Sequence, residues 1–481
     1  MANPLIALIA AQQWRLLVRD RRLAVLGLAL LLVLCAAAMS GAAMHVSNEA
    51  ERAAAQADEA RVWEMQGSAN PHGAAHFGRY VLKPMSPLAV LDPGLLPQLG
   101  TSLRLEAHAQ NPARGRAING GTALDRFAGL SPASMLQMLA PLLIILSGFA
   151  TFAGDRARTL LRQEIASGAA PAVLMTGRLL GLAGAVGLLL AAVAAAGGTA
   201  LLVAGGGAGE LGALLWMMLG YALYLFAFAA LTLAASAAFA SARTALGLLL
   251  GFWAMAALFV PRIAPAAAER IAPTLSGPAF EAAVTREVRE GPSGHDPQDA
   301  RLERLKADTM KRHGVAKLED LPVDFGGIAL FHGEALSTSI YRRYFAALYD
   351  GYDRQAKVQR WFAVLSPAQA IRPWSAALAH GDQHAHRRFL EQADRYRYDI
   401  VQALNRNIIH NRKPPPAGTP TAPYLADVAA VTRGRAFASS PPALNETLAR
   451  HWVDLAILFA WAAVAAALAL VATRRLARTG A

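Results

Sequence analysis

Six apolar stretches divide this chain, each near the length of about 20 residues that a helix needs to cross a bilayer core. They run over 23–44, 135–153, 179–203, 211–240, 244–260 and 452–473. Asp454, at the edge of the last, is the only Asp, Glu, Lys or Arg inside them. A charge at the centre of a span would cost about 2.5–3.5 kcal/mol, so this purity fits helices solvated by lipid. The expected fold is an all-α membrane protein with six transmembrane helices. Two mainly helical extracytoplasmic inserts, 45–134 and 261–451, are expected to form an outer domain. The stretch 211–240 is long enough to tilt or project beyond the bilayer, and 244–260 is the shortest of the six.

Composition agrees. Charged residues make up 16% and hydrophobic residues 55%, against about 25% charged in soluble domains. The net charge of +13 does not point to nucleic acid, because many of the arginines flank the apolar stretches, where lipid headgroups meet them. Nucleic acid is therefore excluded as a partner and membrane lipid is expected. The single cysteine, Cys35, allows neither an intrachain disulfide nor a cysteine metal cluster.

Arginine sets the orientation. Arg15, Arg19, Arg21 and Arg22 precede the first stretch, and Arg156, Arg158, Arg162 and Arg178 lie between the second and third. Arg243 separates the fourth and fifth, and Arg474, Arg475 and Arg478 follow the sixth. The loop 204–210 has no Lys or Arg. Six crossings place all the basic clusters on one side, which the positive-inside rule makes cytoplasmic. Both terminal segments, 1–22 and 474–481, then lie inside. An alternative reading of the start is a cleaved signal ending near Ala36–Ala42, but the apolar run exceeds the 7–15 residues usual there.

Within the inserts, Ser47 is expected to cap a helix reaching Gln66. Helical patterns cover 297–313, 334–365 with Tyr341, Tyr344, Phe345 and Leu348 on one face, and 382–405 with Phe389, Leu390 and Ala393 buried. The segment 70–94 reads as an ordered, turn-rich loop dense in His, Gly and aromatics. Pro414, Pro415, Pro416, Pro420 and Pro423 suggest an extended strap.

The sequence carries no phosphate-binding loop, no H-E-x-x-H and no G-x-S-x-G. No catalytic residue is expected, and the chain is not read as an enzyme. His380, His384 and His386 cluster closely enough to be considered as metal ligands. Gly381 between them and Asp382 as a helix cap favour a structural reading, so no metal is assigned. Gly177, Gly181, Gly184 and Gly187 permit close helix approach. The spans offer no buried acidic relay of the kind that couples carriers to ions.

The segment Gly154–Gly168 is more telling. Ala157, Leu160, Leu161 and Ile165 share one face of a short helix, while Arg158 and Arg162 lie four apart on another. Gly168 and Pro171 stop it. A bare interfacial helix is one reading; a docking helix for a cytoplasmic partner is the other.

The order of a basic amphipathic start (Trp14–Arg22), a first span, a large outer insert, a second span and this arginine-rich turn resembles bacterial ABC-2 type permeases. The outer stretches Asn70–Gly94, His313–Val315, Leu318–Ala329 and Pro367–Asn405 resemble a subfamily carrying a domain of unknown function. The resemblance implies a permease subunit, exporting in the inner membrane of a bacterium. It further implies that 154–178 holds the coupling helix, with Arg156, Arg158, Leu160, Leu161, Arg162 and Ile165 docking a separate cytoplasmic ABC ATPase. ATP and Mg would be bound by that ATPase, with no cofactor in this chain. A homodimer, or a pair with a second permease subunit, is also implied. The alternative is a non-transporting membrane scaffold or sensor whose outer helical domain binds a ligand or protein. A membrane-anchored metalloenzyme built on His380, His384 and His386 is the third class.

Overall fold

The computed structural model describes residues 4–113, 131–290, 300–412 and 423–480. Helix α1 (Pro4–Arg19) is followed by α2 (Arg21–Glu64). Asp20 caps α2, its Oδ1 accepting from the N–H groups of Arg22 and Leu23. Helix α2 has 44 residues, roughly 66 Å at 1.5 Å per residue. It therefore reaches far beyond a hydrocarbon core of about 30 Å. The expected break before Ser47 does not occur, and Ser47 lies in mid-helix. No proline interrupts the pattern, and the lack of a side chain at Gly41 lets Val90 approach closely, 3.2 Å from where a Cβ would stand.

The described remainder of the first insert is not mainly helical. After β1 (Ser68–Ala69) and the short α3 (Pro71–Phe77) come β2 (Arg79–Leu82), β3 (Ser102–Glu106) and β4 (Ala109–Gln110). Strands β2, β3 and β4 form an antiparallel meander, with Tyr80 opposite Arg104 and Glu106 opposite Ala109. Leu103 and Leu105 are buried while Arg104 between them is exposed, the alternation of a half-buried strand.

The apolar helices follow. Helix α4 (Pro132–Gly148) has 17 residues and ends earlier than the expected 153, at a turn where the Phe152 N–H donates to Ser236 Oγ. Then come α5 (Asp155–Ala166), α6 (Pro171–Val203), α7 (Ala208–Ala238) and α8 (Ala242–Ile271). Helix α8 runs past the expected end at 260. Its π-turn, Met255–Phe259, precedes Pro261, which has no N–H to donate to the preceding turn. Ser366 Oγ donates to the Ala256 carbonyl there, at 2.6 Å, so an acceptor at the irregular turn is satisfied from outside the helix.

The described residues of 261–451 are mostly helical. They include α9 (Gly277–Glu290), α10 (Ala300–His313), α11 (Phe325–Trp361), α12 (Ala368–Leu378) and α13 (Gln383–Asn411). The short β5 (Ala426–Asp427) and α14 (Val428–Thr432) precede the last helix, α15 (Leu444–Gly480). Residues 297–299 of the first charged helix, and Pro414, Pro415, Pro416 and Pro420 of the strap, lie outside the described residues.

Among the described residues, five helices are long and apolar enough to cross a membrane: α2, α6, α7, α8 and α15; α4 is a shorter apolar helix. Together they make a helical membrane protein. Helix α7 is its hub, 61% buried over its apolar window, against 28% for α6, α8 and α15. Tyr221, Tyr224, Leu225 and Phe228 are fully covered there. Tyr221 accepts from Gln137 at 2.9 Å and donates to Ser375 at 3.1 Å, so α4, α7 and α12 meet at one hydroxyl.

The two inserts form one outer body. Strand β1 pairs with β5. Val81, Leu103 and Leu105 from the first insert share a core with Phe345, Tyr349, Phe389 and Leu390 from the second.

Candidate functional site

Each end of the apolar bundle carries a cluster of polar and charged side chains. The first is the elbow around α5. Gly154, at φ 94°, turns the chain out of α4's trailing loop, and its N–H donates to the Ala240 carbonyl at the end of α7. Leu161 is buried in the bundle core and anchors α5. Glu164 pairs with Arg178 of α6 at 2.6 Å. The same guanidinium donates to the Thr151 carbonyl and sits 4.4 Å over the Phe152 ring. Arg475 of α15 donates to the Ala238 carbonyl beside this elbow. The short helix is thus tied to α6 by the Glu164–Arg178 pair and packs against α15.

The structure separates the six residues singled out in sequence. Arg156, Leu160 and Arg162 are exposed, Leu160 at 50%. Arg158 and Ile165 are half-buried and Leu161 is an internal anchor. The face open to a partner is therefore Arg156, Leu160 and Arg162, with Thr159 and Gln163 between them.

At the opposite end, a cleft of about 860 Å³ opens where the outer body meets the bundle. Its walls include Asp92, Arg360, Arg372, Asp382, His451 and Asp454. Asp454 is fully buried and takes a bidentate pair from Arg360 at 2.8 and 3.2 Å. His451 Nδ1 lies 2.8 Å from Asp454, and its Nε2 lies 3.7 Å from Asp382. Asp382 also caps α13, accepting from the Ala385 N–H at 3.1 Å. Burial pushes the Asp382 carboxyl up, but contact with His451 and the capping N–H outweigh it and hold the group below the usual carboxylate range. Burial pushes the Asp92 carboxyl up despite its bond from the Gly94 N–H. Arg360, Asp454, His451 and Asp382 thus form one ionic network along the cleft wall. Only Asp454, the one charge in an apolar stretch, signalled this cleft in the sequence.

His380, His384 and His386 do not converge. His380 closes α12 in the left-handed region, at φ 53°. His384 Nε2 meets Glu446 at 3.2 Å, and His386 is buried beside Phe389. The helix-cap reading of Asp382 holds instead.

The profile of a domain of unknown function (DUF3526) matches residues 279–416. The match begins in α9 and ends past α13, so it covers much of the outer body's helical half and leaves most of the apolar bundle outside. No curated protein matches the chain.

Proposed function

We propose that this chain is the membrane-spanning permease subunit of an ATP-driven ABC-2 type exporter, with both termini cytoplasmic in a bacterial inner membrane. A separate ATPase, binding ATP and Mg, docks on α5, and two permease subunits make the working dimer. The carrying observation is the elbow: a short helix anchored by Leu161 and Glu164 presents Arg156, Leu160 and Arg162 outward. Its anchor residues reach the bundle core and α6, so a push on the exposed face would be passed to spans rather than absorbed by a loop. The sequence resemblance described above, and the absence of a phosphate-binding loop, support an external energy source. The cleft at the far end of the bundle gives solute a place beside the outer body.

Affinity purification from gently solubilised membranes tests the reading. A stoichiometric ATPase with a phosphate-binding loop is expected. It should be lost from an Arg156→Glu, Arg162→Glu double variant that still inserts and melts as the parent does. Retention of the ATPase by that variant would remove the docking role. Absence of any ATPase from the folded parent would favour the second reading, a scaffold or sensor whose ligand occupies the charged cleft.

A further inference from the structure

Away from the elbow and the cleft, three histidines from two separate elements come together on the outer body. His72 and His76 are one turn apart on α3, which Asn70 caps by accepting from the N–H groups of His72 and Gly73. His108 stands in the two-residue turn between β3 and β4, in the left-handed region at φ 62°. The Ala107 N–H donates to the Ala75 carbonyl at 3.0 Å, fastening that turn to α3. Ala74 and Ala75 pack into a core with Trp63, Val401 and Leu404, which fixes the roll of the short helix. Ring centroids stand 4.6 Å apart for His72 and His76, and 5.3 Å from each to His108. Nε2 of His72 and Nε2 of His76 are 3.1 Å apart, and one ligand atom from each of the three rings lies within 4.8 Å of the others. Two nitrogens bound tetrahedrally at about 2.0–2.1 Å would stand about 3.3 Å apart.

The support behind His108 is the second observation. Glu334, fully buried in α11, accepts from the His108 N–H at 2.8 Å and lies 3.1 Å from its Nδ1. Glu334 is itself held by Thr338 Oγ1 at 3.0 Å and by the Arg397 guanidinium. Arg397 in turn pairs with Asp394 at 3.0 Å. A carboxylate on Nδ1 fixes the tautomer that leaves Nε2 as the donor, the usual outer support of a metal-bound imidazole.

We propose that His72, His76 and His108 form a binding site for a divalent transition-metal ion of the zinc class, oriented by Glu334. Three imidazoles, with no thiolate or carboxylate in the group among the described residues, suit zinc and its neighbours in the first row rather than calcium or magnesium. The remaining position is open to solvent or to a donor from a bound molecule. His76 is exposed and His72 and His108 are half-buried, so an ion can reach the site from water. The site ties α3 and the β3–β4 turn of the first insert to α11 of the second. It stands independently of the transport reading.

The full-length chain, purified in detergent without a histidine tag and stripped with a chelator, is titrated with Zn²⁺ alone against a chromophoric competitor. One high-affinity equivalent per chain is expected. His76→Ala and His108→Ala should each weaken it by about 100-fold or more, and Glu334→Gln by about 10–100-fold. His313→Ala, at the exposed end of α10, should leave it unchanged. Co²⁺ in place of zinc should give the visible absorption of a four-coordinate site in the parent and lose it in His76→Ala, whose exposed position leaves folding intact. No tight equivalent in the parent, or tight binding that survives both His76→Ala and His108→Ala, would overturn the site.

Discussion

At the residue scale, the buried charges of the cleft are the most exposed to test. Asp454 has no solvent contact and its two oxygens are committed to Arg360 and His451. Removing one member of such a set leaves the other charge without compensation, at a cost of about 3–5 kcal/mol. Asp454→Ala should therefore lower the melting temperature in detergent far more than the double variant Asp454→Ala, Arg360→Met. Equal losses would mean that the pair is solvated and not a buried unit. The sequence offered Asp454 as a lone carboxylate at a span edge, but its partners come from 94 residues earlier for Arg360 and from the adjacent turn for His451. Local spacing could not have revealed the former.

His386 belongs to the same scale. Burial, followed by the Lys83 charge, holds its imidazole down to about 4, from an ordinary value of 6.5. Above pH 6.5 the ring is neutral in folded and unfolded chains alike. As pH falls below that value the unfolded chain takes up a proton that the folded chain refuses until about pH 4, so stability is lost across that interval. At about 1.4 kcal/mol per pH unit the loss reaches roughly 3 kcal/mol. Chemical denaturation of the parent and of His386→Gln between pH 7 and pH 4 should give curves that converge toward acid. Parallel curves would place the titrating group elsewhere.

At the scale of elements, the glycines of α6 show what a sequence pattern states and what it leaves open. The stripe at 177, 181, 184 and 187 was legible as a close-approach face, yet its partner was not. The structure gives it to α1. A Cβ on Gly177 would stand 2.6 Å from Ile9, and one on Gly181 would stand 2.7 Å from the Gln13 Cβ, whereas Gly187 meets nothing within 4 Å. The amphipathic start is therefore packed along α6 rather than left at the surface. Gly181→Leu should displace α1 at a cost of about 1–3 kcal/mol, read as faster trypsin cleavage at the Arg19–Asp20 junction. Gly187→Leu should leave cleavage unaltered. Where the sequence reading failed, a short-range signal was outweighed. Ser47 looked like a cap, but the residues around it continue α2's helix without a break. The strands β2 and β3 span only four and five residues, too short to stand out against helical neighbours. His108 lay 32 residues from His76 (108 − 76), so only the fold could bring them together.

At the scale of the whole molecule, the outer body constrains how the chain threads the bilayer. The two inserts share a core and a strand pair, so they lie on the same side of any membrane. Between them run α4, α6, α7 and α8. Two segments on one side must be separated by an even number of crossings. If α6, α7 and α8, each long and apolar enough to span, all cross, parity requires α4 to supply the fourth crossing. Its 17 residues make roughly 26 Å, a few ångströms less than the core, a shortfall that local thinning can absorb. On that count α5 and the arginines about it would lie on the side opposite the outer body, where the proposed ATPase would be. Single cysteines introduced into a Cys35→Ser background decide the matter: Asp58→Cys on α2's outer half and Asp308→Cys on α10 against Arg162→Cys on α5. A membrane-impermeant thiol reagent applied to intact spheroplasts should label the first two and miss the third, and opening the membrane should expose it. Labelling of Asp58→Cys and Arg162→Cys together from outside would mean that α4 does not cross, and since the inserts cannot be parted, that one of α6, α7 or α8 re-enters rather than spans.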